Sequence, residues 1–255
     1  MQSSTQLVAS NNAAWFKTWF DSSFYHALYA NRNETEAADF IDELIAELQP
    51  WVNSRMLDLG CGAGRHAKQL ASKGHHVTGF DLAFSSIQTA RKFETGNLHF
   101  YQRDMRVPFG KNHFDYVFNF FTSFGYFESE AENQNVIRNI HSALKSGGTL
   151  VLDYLNVDYA EERSIPKEEK EIDGIIYHIT RWADENHFFK RIVIDNIQST
   201  GQFEYTEKVA KLRLADFERL FICNGLQLQK VYGDYYLKEY DIQNSPRLIL
   251  KATKR

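Results

Sequence analysis

Cysteine is scarce in this sequence, which has only Cys61 and Cys223 among its 255 residues. Two cysteines cannot build the disulfide framework of a small secreted domain, and they fit a reducing cytosol. No run approaches the ~18 apolar residues of a membrane-spanning helix, and residues 1–14 lack the basic start of a signal peptide. We therefore expect a cytoplasmic protein with no membrane partner.

Positive charge is also in deficit, because 29 Lys and Arg stand against 33 Asp and Glu, a net charge of −4. This balance argues against a nucleic-acid partner. The nine histidines show no metal-ligand spacing, so we expect no metal site. A small-molecule partner is what remains, and a homodimer stays open.

Aromatic residues are abundant, with 20 Phe, 13 Tyr and 4 Trp. At about 150 residues per domain, the length allows one large domain or a core with an insert. Residues 1–14 are polar and are expected to be frayed. Residues 15–32 are aromatic with a helical period. Asn33 is the expected N-cap of a further helix, with Glu36 in the capping-box position and Pro50 just beyond its end.

Strand-like and helix-like segments alternate from about residue 54. Alternation of this kind predicts a parallel sheet covered by helices on both faces. The five predicted strands are Arg55–Leu59, His76–Phe80, Leu98–Arg103, Phe114–Phe120 and Thr149–Tyr154.

The alternation stops after residue 160. Residues 161–171 are charged, and three strand-like runs follow, separated by turn-rich segments, which predicts an antiparallel meander. A helix over Leu212–Cys223 and strands over Leu226–Tyr232 and Arg247–Lys254 close the chain. The predicted domains are a helical N-terminal cap (1–50), a core (51–160 and 212–255) and an antiparallel β insert (161–211).

The strongest local motif is MLDLGCGAGRHA at residues 56–67, with glycines at 60, 62 and 64 between a strand and a helix. Glycine allows the sharp turn and the close approach of a ligand, and the helix start offers free N–H groups. Arg65 stands where the strict dinucleotide fingerprint needs glycine. This speaks against an NAD-dependent oxidoreductase.

Three aspartates stand at successive predicted strand ends. Asp58 would repel a pyrophosphate and attract an ammonium or a sulfonium. Asp81 is placed to accept both hydroxyls of a ribose. Asp104 can accept from the exocyclic amine of adenine. Each has a simpler alternative: a solvated strand end for Asp58, a helix cap for Asp81 and a turn residue for Asp104.

In their order and spacing these motifs resemble the class I S-adenosylmethionine-dependent methyltransferases. The resemblance runs through LDLGCGAG, GFD, RDM, FDYVFNFFTSFGYF and LKSGGTLVLDYLN, and covers roughly residues 54–156 and the closing strands. It implies an α/β fold with a Rossmann-like seven-stranded sheet, whose last strand is antiparallel. It also implies S-adenosylmethionine as the cofactor and S-adenosylhomocysteine as the product.

The resemblance assigns a cofactor role to several residues. The implied sets are Asp58, Gly60, Cys61, Gly62 and Gly64 for the methionyl part, Asp81 and Leu82 for the ribose, Asp104 and Met105 for the adenine, and Asn119, Phe120 and Phe121 beside the methyl group.

Two segments outside the core could close over that site. The N-terminal aromatic run is either a helix packed on the core or a lid, from which Tyr25 or Arg32 would reach the cofactor carboxylate. The residues assigned to the acceptor are Tyr29, Tyr126, Asp153 and His178. His178 is a weak candidate for a general base, because a packed or surface histidine is the default, and the catalytic residue is left unknown.

Two methyltransferase subclasses are less favoured, because their motifs are missing after the fourth predicted strand. Methyltransferases of adenine and amide nitrogens carry an N/D-P-P-Y/F motif there, where this chain has NFFTS without proline. Methylation at pyrimidine C5 needs a nearby cysteine nucleophile, and there is none. We therefore expect a methyltransferase acting on a small-molecule nitrogen or oxygen. The alternatives are a non-catalytic S-adenosyl-ligand-binding protein and, with less support, an NAD-dependent oxidoreductase.

Overall fold

A computed structural model describes residues 8–9, 15–29, 34–196 and 202–255. Contacts divide the chain into two units. The insert unit comprises Met1–Arg32 and Glu161–Lys211, and the core unit comprises Asn33–Ala160 and Leu212–Arg255. None of the helices within these described ranges is long and apolar enough to cross a membrane.

The elements are numbered along the chain. The strands are β1 (Val8–Ala9), β2 (Arg55–Leu59), β3 (His76–Asp81), β4 (Leu98–Gln102), β5 (Phe114–Asn119), β6 (Leu144–Leu155), β7 (Lys167–Ile172), β8 (Ile175–Ala183), β9 (His187–Asn196), β10 (Gln202–Ala210), β11 (Leu226–Tyr232) and β12 (Arg247–Lys254). The helices are α1 (Trp15–Trp19), α2 (Ser23–Leu28), α3 (Glu34–Leu48), α4 (Arg65–Ser72), α5 (Phe84–Arg91), α6 (Glu130–Ala143), α7 (Val157–Arg163) and α8 (Leu214–Cys223).

The core unit is built on a seven-stranded sheet of order β11-β12-β6-β5-β2-β3-β4. Its strands β4, β3, β2, β5 and β6 are parallel, and β12 pairs antiparallel with both β6 and β11. Apolar side chains of α3, α4 and α5 are buried with those of the central strands in one cluster. The sheet and its topology confirm the predicted fold class, and they bring the carboxyl ends of the parallel strands to one edge, where α/β proteins bind ligands.

One strand of this sheet differs in length from its prediction. β6 begins at Leu144, five residues before the predicted start at Thr149. Its pairing with β5 shifts register between Phe114 and Tyr116, and this irregularity takes up the residues before Thr149. Gly147 lies in this irregular stretch and has a left-handed φ of +73°, so the backbone turns there before the regular pairing resumes at Thr149.

The insert unit contains a five-stranded sheet of order β1-β10-β9-β8-β7. The three predicted strands are its β8, β9 and β10, paired antiparallel. β7 was missed because its sequence is charged. Its charges pair across the strands, with Arg181 Nη2 at 2.6 Å from Glu168 Oε2. β1 pairs parallel with β10, so the expectation of a frayed start is wrong at Val8–Ala9.

The N-terminal aromatic run forms two short helices rather than one. The hydroxyl of Ser22 accepts from the Tyr25 N–H at 3.1 Å and caps α2, because serine favours this position. Trp19 is fully buried, and its indole N–H donates to Glu207 of β10 at 2.7 Å. The predicted cap at Asn33 lies outside the described residues.

Candidate active site

Asp58 lies in β2 near its carboxyl end and is buried, with 1% of its surface exposed. Within the described residues, neither carboxylate oxygen has a hydrogen-bond partner. Burial and repulsion by Asp81 raise its pKa to about 7, and the Ala67 amide and Arg65 offset this only in part. A buried carboxyl group without a partner is costly, which fits a position that receives a cationic ligand group.

The glycine loop follows β2. At Gly60, where φ is +82°, a Cβ atom would lie 2.6 Å from the Ser123 Cβ, so only glycine fits without displacement. At Gly62, where φ is +54°, a Cβ would meet nothing within 4 Å, so the backbone borders open space. The Gly62 N–H donates to Asp81 Oδ2 at 2.7 Å. The loop is thus fixed to the end of β3 while one of its sides stays open to a ligand.

Asp81 ends β3 and holds the backbone on both sides of the crevice. Its Oδ1 accepts from the Ala83 N–H at 2.8 Å, and its Oδ2 accepts from Gly62. These two bonds tie the glycine loop to the segment that follows β3. The Leu82 carbonyl accepts from Gln102 Nε2 at 2.9 Å. The Cys61 thiol is buried, and burial raises its pKa well above the ordinary value.

Asp104 follows β4 and is held by Arg106. The Arg106 guanidinium contacts Asp104 Oδ1 through Nε at 3.0 Å and Oδ2 through Nη2 at 2.7 Å, and its Nη1 reaches Glu132 Oε1 at 2.7 Å. Hydrogen bonding to Asp104 is the main cause that raises the pKa of Arg106. Glu132 also forms the predicted capping box of α6 with Ser129. The Met105 carbonyl accepts from Asn139 Nδ2 at 3.1 Å.

The end of β5 combines burial with a strained turn. Asn119 is fully buried, and its Nδ2 donates to the Leu59 carbonyl at 2.6 Å, whereas its Oδ1 has no partner in the described structure. Phe120 belongs to the core and packs on Phe118, with ring centroids 5.2 Å apart. Phe121 and Thr122 both adopt left-handed φ angles, +57° and +58°, which cost non-glycine residues about 1–2 kcal/mol each.

A buried ion pair holds that turn. Asp153 of β6 is fully buried; its Oδ2 accepts from the Phe121 N–H at 2.7 Å and from the Tyr235 hydroxyl at 3.2 Å. Its Oδ1 accepts from Arg247 Nε at 2.7 Å. Arg247 Nη2 donates to Thr122 Oγ1 at 2.9 Å. The strained turn persists because several bonds determine it together.

Arg247 and Tyr235 belong to the site although no motif in the sequence predicts them. Arg247 opens β12, the antiparallel neighbour of β6, and Ile249 pairs with Asp153. The predicted antiparallel final strand could therefore have placed Arg247 beside the end of the Asp153 strand. Tyr235 lies in the segment between the last two strands, which has no periodic pattern that would predict its position.

The other predicted site residues fall into different parts of the chain. Tyr126 is half-buried in the core unit and interacts electrostatically with Arg247. Tyr25 and Tyr29 belong to the insert unit, where their ring centroids lie 4.9 Å apart. The Tyr29 hydroxyl donates to Glu207 Oε1 at 3.2 Å and contacts Lys190 Nζ. Arg32 lies outside the described residues.

His178 lies on β8 between two carboxylates. Its Nδ1 is 2.9 Å from Glu169 Oε2, and its Nε2 is 2.9 Å from Asp195 Oδ2. Both ring nitrogens of His178 thus lie within hydrogen-bond distance of a carboxylate. Within the described ranges, no group of three His, Cys, Asp or Glu side chains could hold a metal ion.

Comparison with known proteins identifies the class. A family model described as a methyltransferase domain matches residues 52–207, more than half of the chain. YqeM of Bacillus subtilis, a protein named as a methyltransferase, is 27% identical over 209 residues, 78% of this chain and 84% of that protein. The chain belongs to the methyltransferase-domain family.

Solved structures agree on the fold. An S-adenosylmethionine-dependent methyltransferase from Clostridium acetobutylicum superimposes with a TM-score of 0.75 at 17% identity, over 91% of this chain and 96% of that one. CalS10 from Micromonospora echinaspora, an amino pentose methyltransferase solved with S-adenosylmethionine bound, gives 0.66 at 23% identity, over 92% and 98%. The predicted methyltransferase and its predicted fold are confirmed.

Proposed function

We propose that this chain transfers a methyl group from S-adenosylmethionine to a nitrogen or oxygen of a small-molecule acceptor. When bound, the cofactor supplies a methyl group on a sulfonium sulfur, which is open to in-line displacement. The group that leaves is neutral, so the protein contributes mainly alignment and exclusion of water, worth up to about 7–11 kcal/mol.

One observation carries this proposal. Asp58 is buried without a partner, next to a glycine loop whose backbone borders open space at Gly62. A carboxylate in this position favours a cationic group by charge attraction, and S-adenosylmethionine carries an ammonium and a sulfonium. A dinucleotide would instead bring a pyrophosphate, which the same carboxylate repels.

The cofactor-binding residues follow from this geometry. Asp58 and the loop of Gly60, Cys61, Gly62 and Gly64 would hold the methionyl part. Asp81, which its bonds to the Gly62 and Ala83 amides fix at the end of β3, would hold the ribose together with Leu82. Asp104 with Met105 would hold the adenine. Asn119, Phe120 and Phe121 would flank the methyl group, where aromatic faces stabilise a cation by about 0.5–2 kcal/mol.

The acceptor is proposed to be a small amine or hydroxyl compound. CalS10, which shares this fold, is named as an amino pentose methyltransferase. Tyr126, Asp153, Tyr29 and His178 are the proposed acceptor-side residues, and Tyr25 with Arg32 the proposed lid contacts to the cofactor carboxylate. Asp153 would act by positioning the Phe121 turn, since both of its oxygens are already bonded. We further propose a cytoplasmic location.

Calorimetry with S-adenosylhomocysteine and with NADH tests the cofactor. We expect S-adenosylhomocysteine to bind and NADH not to bind. Asp81→Asn should weaken that binding about 10-fold or more, because it removes charge-assisted hydrogen bonds. Asp39→Asn, the same change on an exposed residue of α3, is the matched control and should have no effect.

Turnover is tested separately with a methyl-donor assay over a library of small amines, alcohols and carboxylates. Formation of S-adenosylhomocysteine that depends on both the acceptor and Asp81 would support the transferase. Binding of S-adenosylhomocysteine without turnover on any acceptor would favour the non-catalytic alternative. Binding of NADH alone would refute the proposal.

A further inference from the structure

Arg247 is anchored along one side of its guanidinium. Its Nε and Nη2 each lie 2.7 Å from Asp153 Oδ1, and Nη2 also donates to Thr122 Oγ1 at 2.9 Å. The guanidinium lies 5.8 Å from the ring centroid of Phe121 and 5.6 Å from that of Tyr235. These contacts fix the plane of the group before any ligand arrives.

The remaining nitrogen, Nη1, makes no hydrogen bond within the described residues. It is not among the buried atoms that lack a partner, and the Arg247 side chain keeps 17% of its surface exposed. The two N–H groups of Nη1 therefore point to accessible space. A guanidinium fixed on one side and open on the other presents a pair of donors for an oxygen ligand.

Asp153 accepts from Arg247 on Oδ1, and its Oδ2 accepts from the Phe121 N–H and the Tyr235 hydroxyl. The ion pair therefore engages only one side of the Arg247 guanidinium. A second cation stands nearby, because the Arg65 guanidinium lies 4.9 Å from the ring centroid of Phe121. Two guanidinium groups therefore lie against the ring of Phe121.

Arg247 and the glycine loop are separated by the Phe121 turn. Arg65, at the start of the glycine-loop helix, contacts the Phe121 ring, and Arg247 contacts the same ring from β12. We infer that Arg247 Nη1 binds an anionic oxygen of the methyl acceptor, so that the acceptor carries a carboxylate or a phosphate besides the group that is methylated. This inference rests on the proposed function.

The test measures anion binding at Arg247 directly. The full chain, labelled with ¹⁵N-arginine, is titrated with acetate, inorganic phosphate and neutral acetamide at constant ionic strength. The Nε–H resonance of Arg247 is the one missing from Arg247→Lys, a variant that keeps a cation beside Asp153. If that variant does not fold, Asp153→Asn/Arg247→Gln removes both charges together and serves the same purpose.

We expect a saturable shift of the Arg247 resonance with an anion and no shift with acetamide, in the free chain and in the S-adenosylhomocysteine complex. A response to acetate indicates a carboxylate acceptor, and a response to phosphate indicates a phosphorylated one. Arg138, an exposed arginine of α6, is the internal control. In turnover, Arg247→Lys should lower kcat/KM about 10-fold or more for anionic acceptors only.

Three results would overturn the inference. They are the absence of a saturable shift, an equal shift at Arg138, and a shift that disappears when S-adenosylhomocysteine is bound, which would assign the site to the cofactor carboxylate. A chain that does not bind S-adenosylhomocysteine in calorimetry would instead refute the proposed function, so the two failures are distinguishable.

Discussion

At the scale of single residues, Asp58, Asp104 and Asp153 all lie near strand ends but differ in their electrostatic surroundings. Asp58 is buried without a hydrogen-bond partner in the described structure, Asp104 is paired with Arg106, and Asp153 is buried with both oxygens bonded. An unpartnered carboxyl can receive a ligand cation, whereas a fully bonded one can only hold other residues in place. For Asp153 this state depends on contacts distant in sequence, with Phe121 and Arg247.

Burial and the charge of Asp81 raise the pKa of Asp58 to about 7, so the stability of the chain depends on pH. The folded chain binds the proton of the Asp58 carboxyl group more tightly than the unfolded chain does. Its contribution to the free energy of unfolding is therefore complete below pH 4 and is lost as pH rises towards 7. Asp58→Asn removes the loss. We compare the free energy of unfolding of Asp58→Asn with that of the wild type, both without ligand. From pH 5 to pH 8 this difference should shift by about 2–3 kcal/mol in favour of the variant.

Urea unfolding at the two pH values measures this difference, with exposed Asp39→Asn as the control. An equal effect of Asp58→Asn at pH 5 and pH 8 would contradict the assignment, because a packing change does not depend on that proton.

Arg106 is expected to be a positioning residue for Asp104, which it contacts with two nitrogens. If Asp104 accepts from the adenine amine, Arg106→Met should weaken S-adenosylhomocysteine about 10-fold or more, as for other hydrogen bonds to charged groups. S-inosylhomocysteine, which lacks that amine, should be affected less than about 2-fold. Calorimetry with both ligands decides the matter, and equal weakening of both would indicate a merely structural role.

At the scale of elements, the glycines of the loop serve two purposes: Gly60 is needed for folding, and Gly62 is expected to be needed for binding. Gly60, Gly62 and Gly74 all have positive φ angles, but only Gly60 would place a Cβ against another side chain. Alanine at Gly74 or Gly62 should therefore cost about 1–2 kcal/mol from backbone strain, and alanine at Gly60 clearly more. Thermal unfolding measures this order.

Binding should follow a different order. Gly62→Ala should weaken S-adenosylhomocysteine, because its methyl group would occupy the open space beside the loop. Gly74→Ala, with comparable strain outside the loop, should leave binding unchanged. Unchanged binding in Gly62→Ala would show that the ligand does not approach this backbone.

Elements with a clear period were predictable from sequence. β2, β11 and β12 match their predicted bounds, and the capping box of Ser129 and Glu132 is present. β7 was not predictable, because its charged residues are matched by ion pairs on β8 that no local pattern shows.

The site was predictable only where a motif carries it. The glycine loop and the aspartates at β2, β3 and β4 lie at one edge of the sheet as expected. The partner of Asp153 on β6 was missed, since Arg247 is 94 residues from it along the chain. Antiparallel pairing of β12 with β6 brings them together.

At the scale of the whole molecule, the two units have separate buried cores. In the insert unit the core includes Trp19, Tyr177 and Ile192, whereas Trp51 of the core unit is 85% exposed. Trp51→Phe leaves tryptophan only at positions 15, 19 and 182, all in the insert unit. Tryptophan emission then reports the insert unit alone.

With this variant we expect S-adenosylhomocysteine to raise the unfolding temperature seen by circular dichroism more than that seen by fluorescence. A ligand at 100 times its Kd stabilises the unit that binds it by about 2.7 kcal/mol. Identical shifts by both probes would show that the two units unfold as one.

The Asp153–Arg247 pair also bears on how such a chain can diverge. A change at Asp153 alone would leave a buried guanidinium uncompensated, at a cost of about 3–5 kcal/mol, and would release the Phe121 turn as well. We therefore expect Asp153 and Arg247 to change together, so that neither charge is left without its partner. By contrast, the Arg191–Glu204 pair of the insert sheet is partly exposed, at 48% and 20%, and such pairs contribute about 0–1 kcal/mol. Mutational drift should therefore be fastest on the insert sheet and slowest around Asp153.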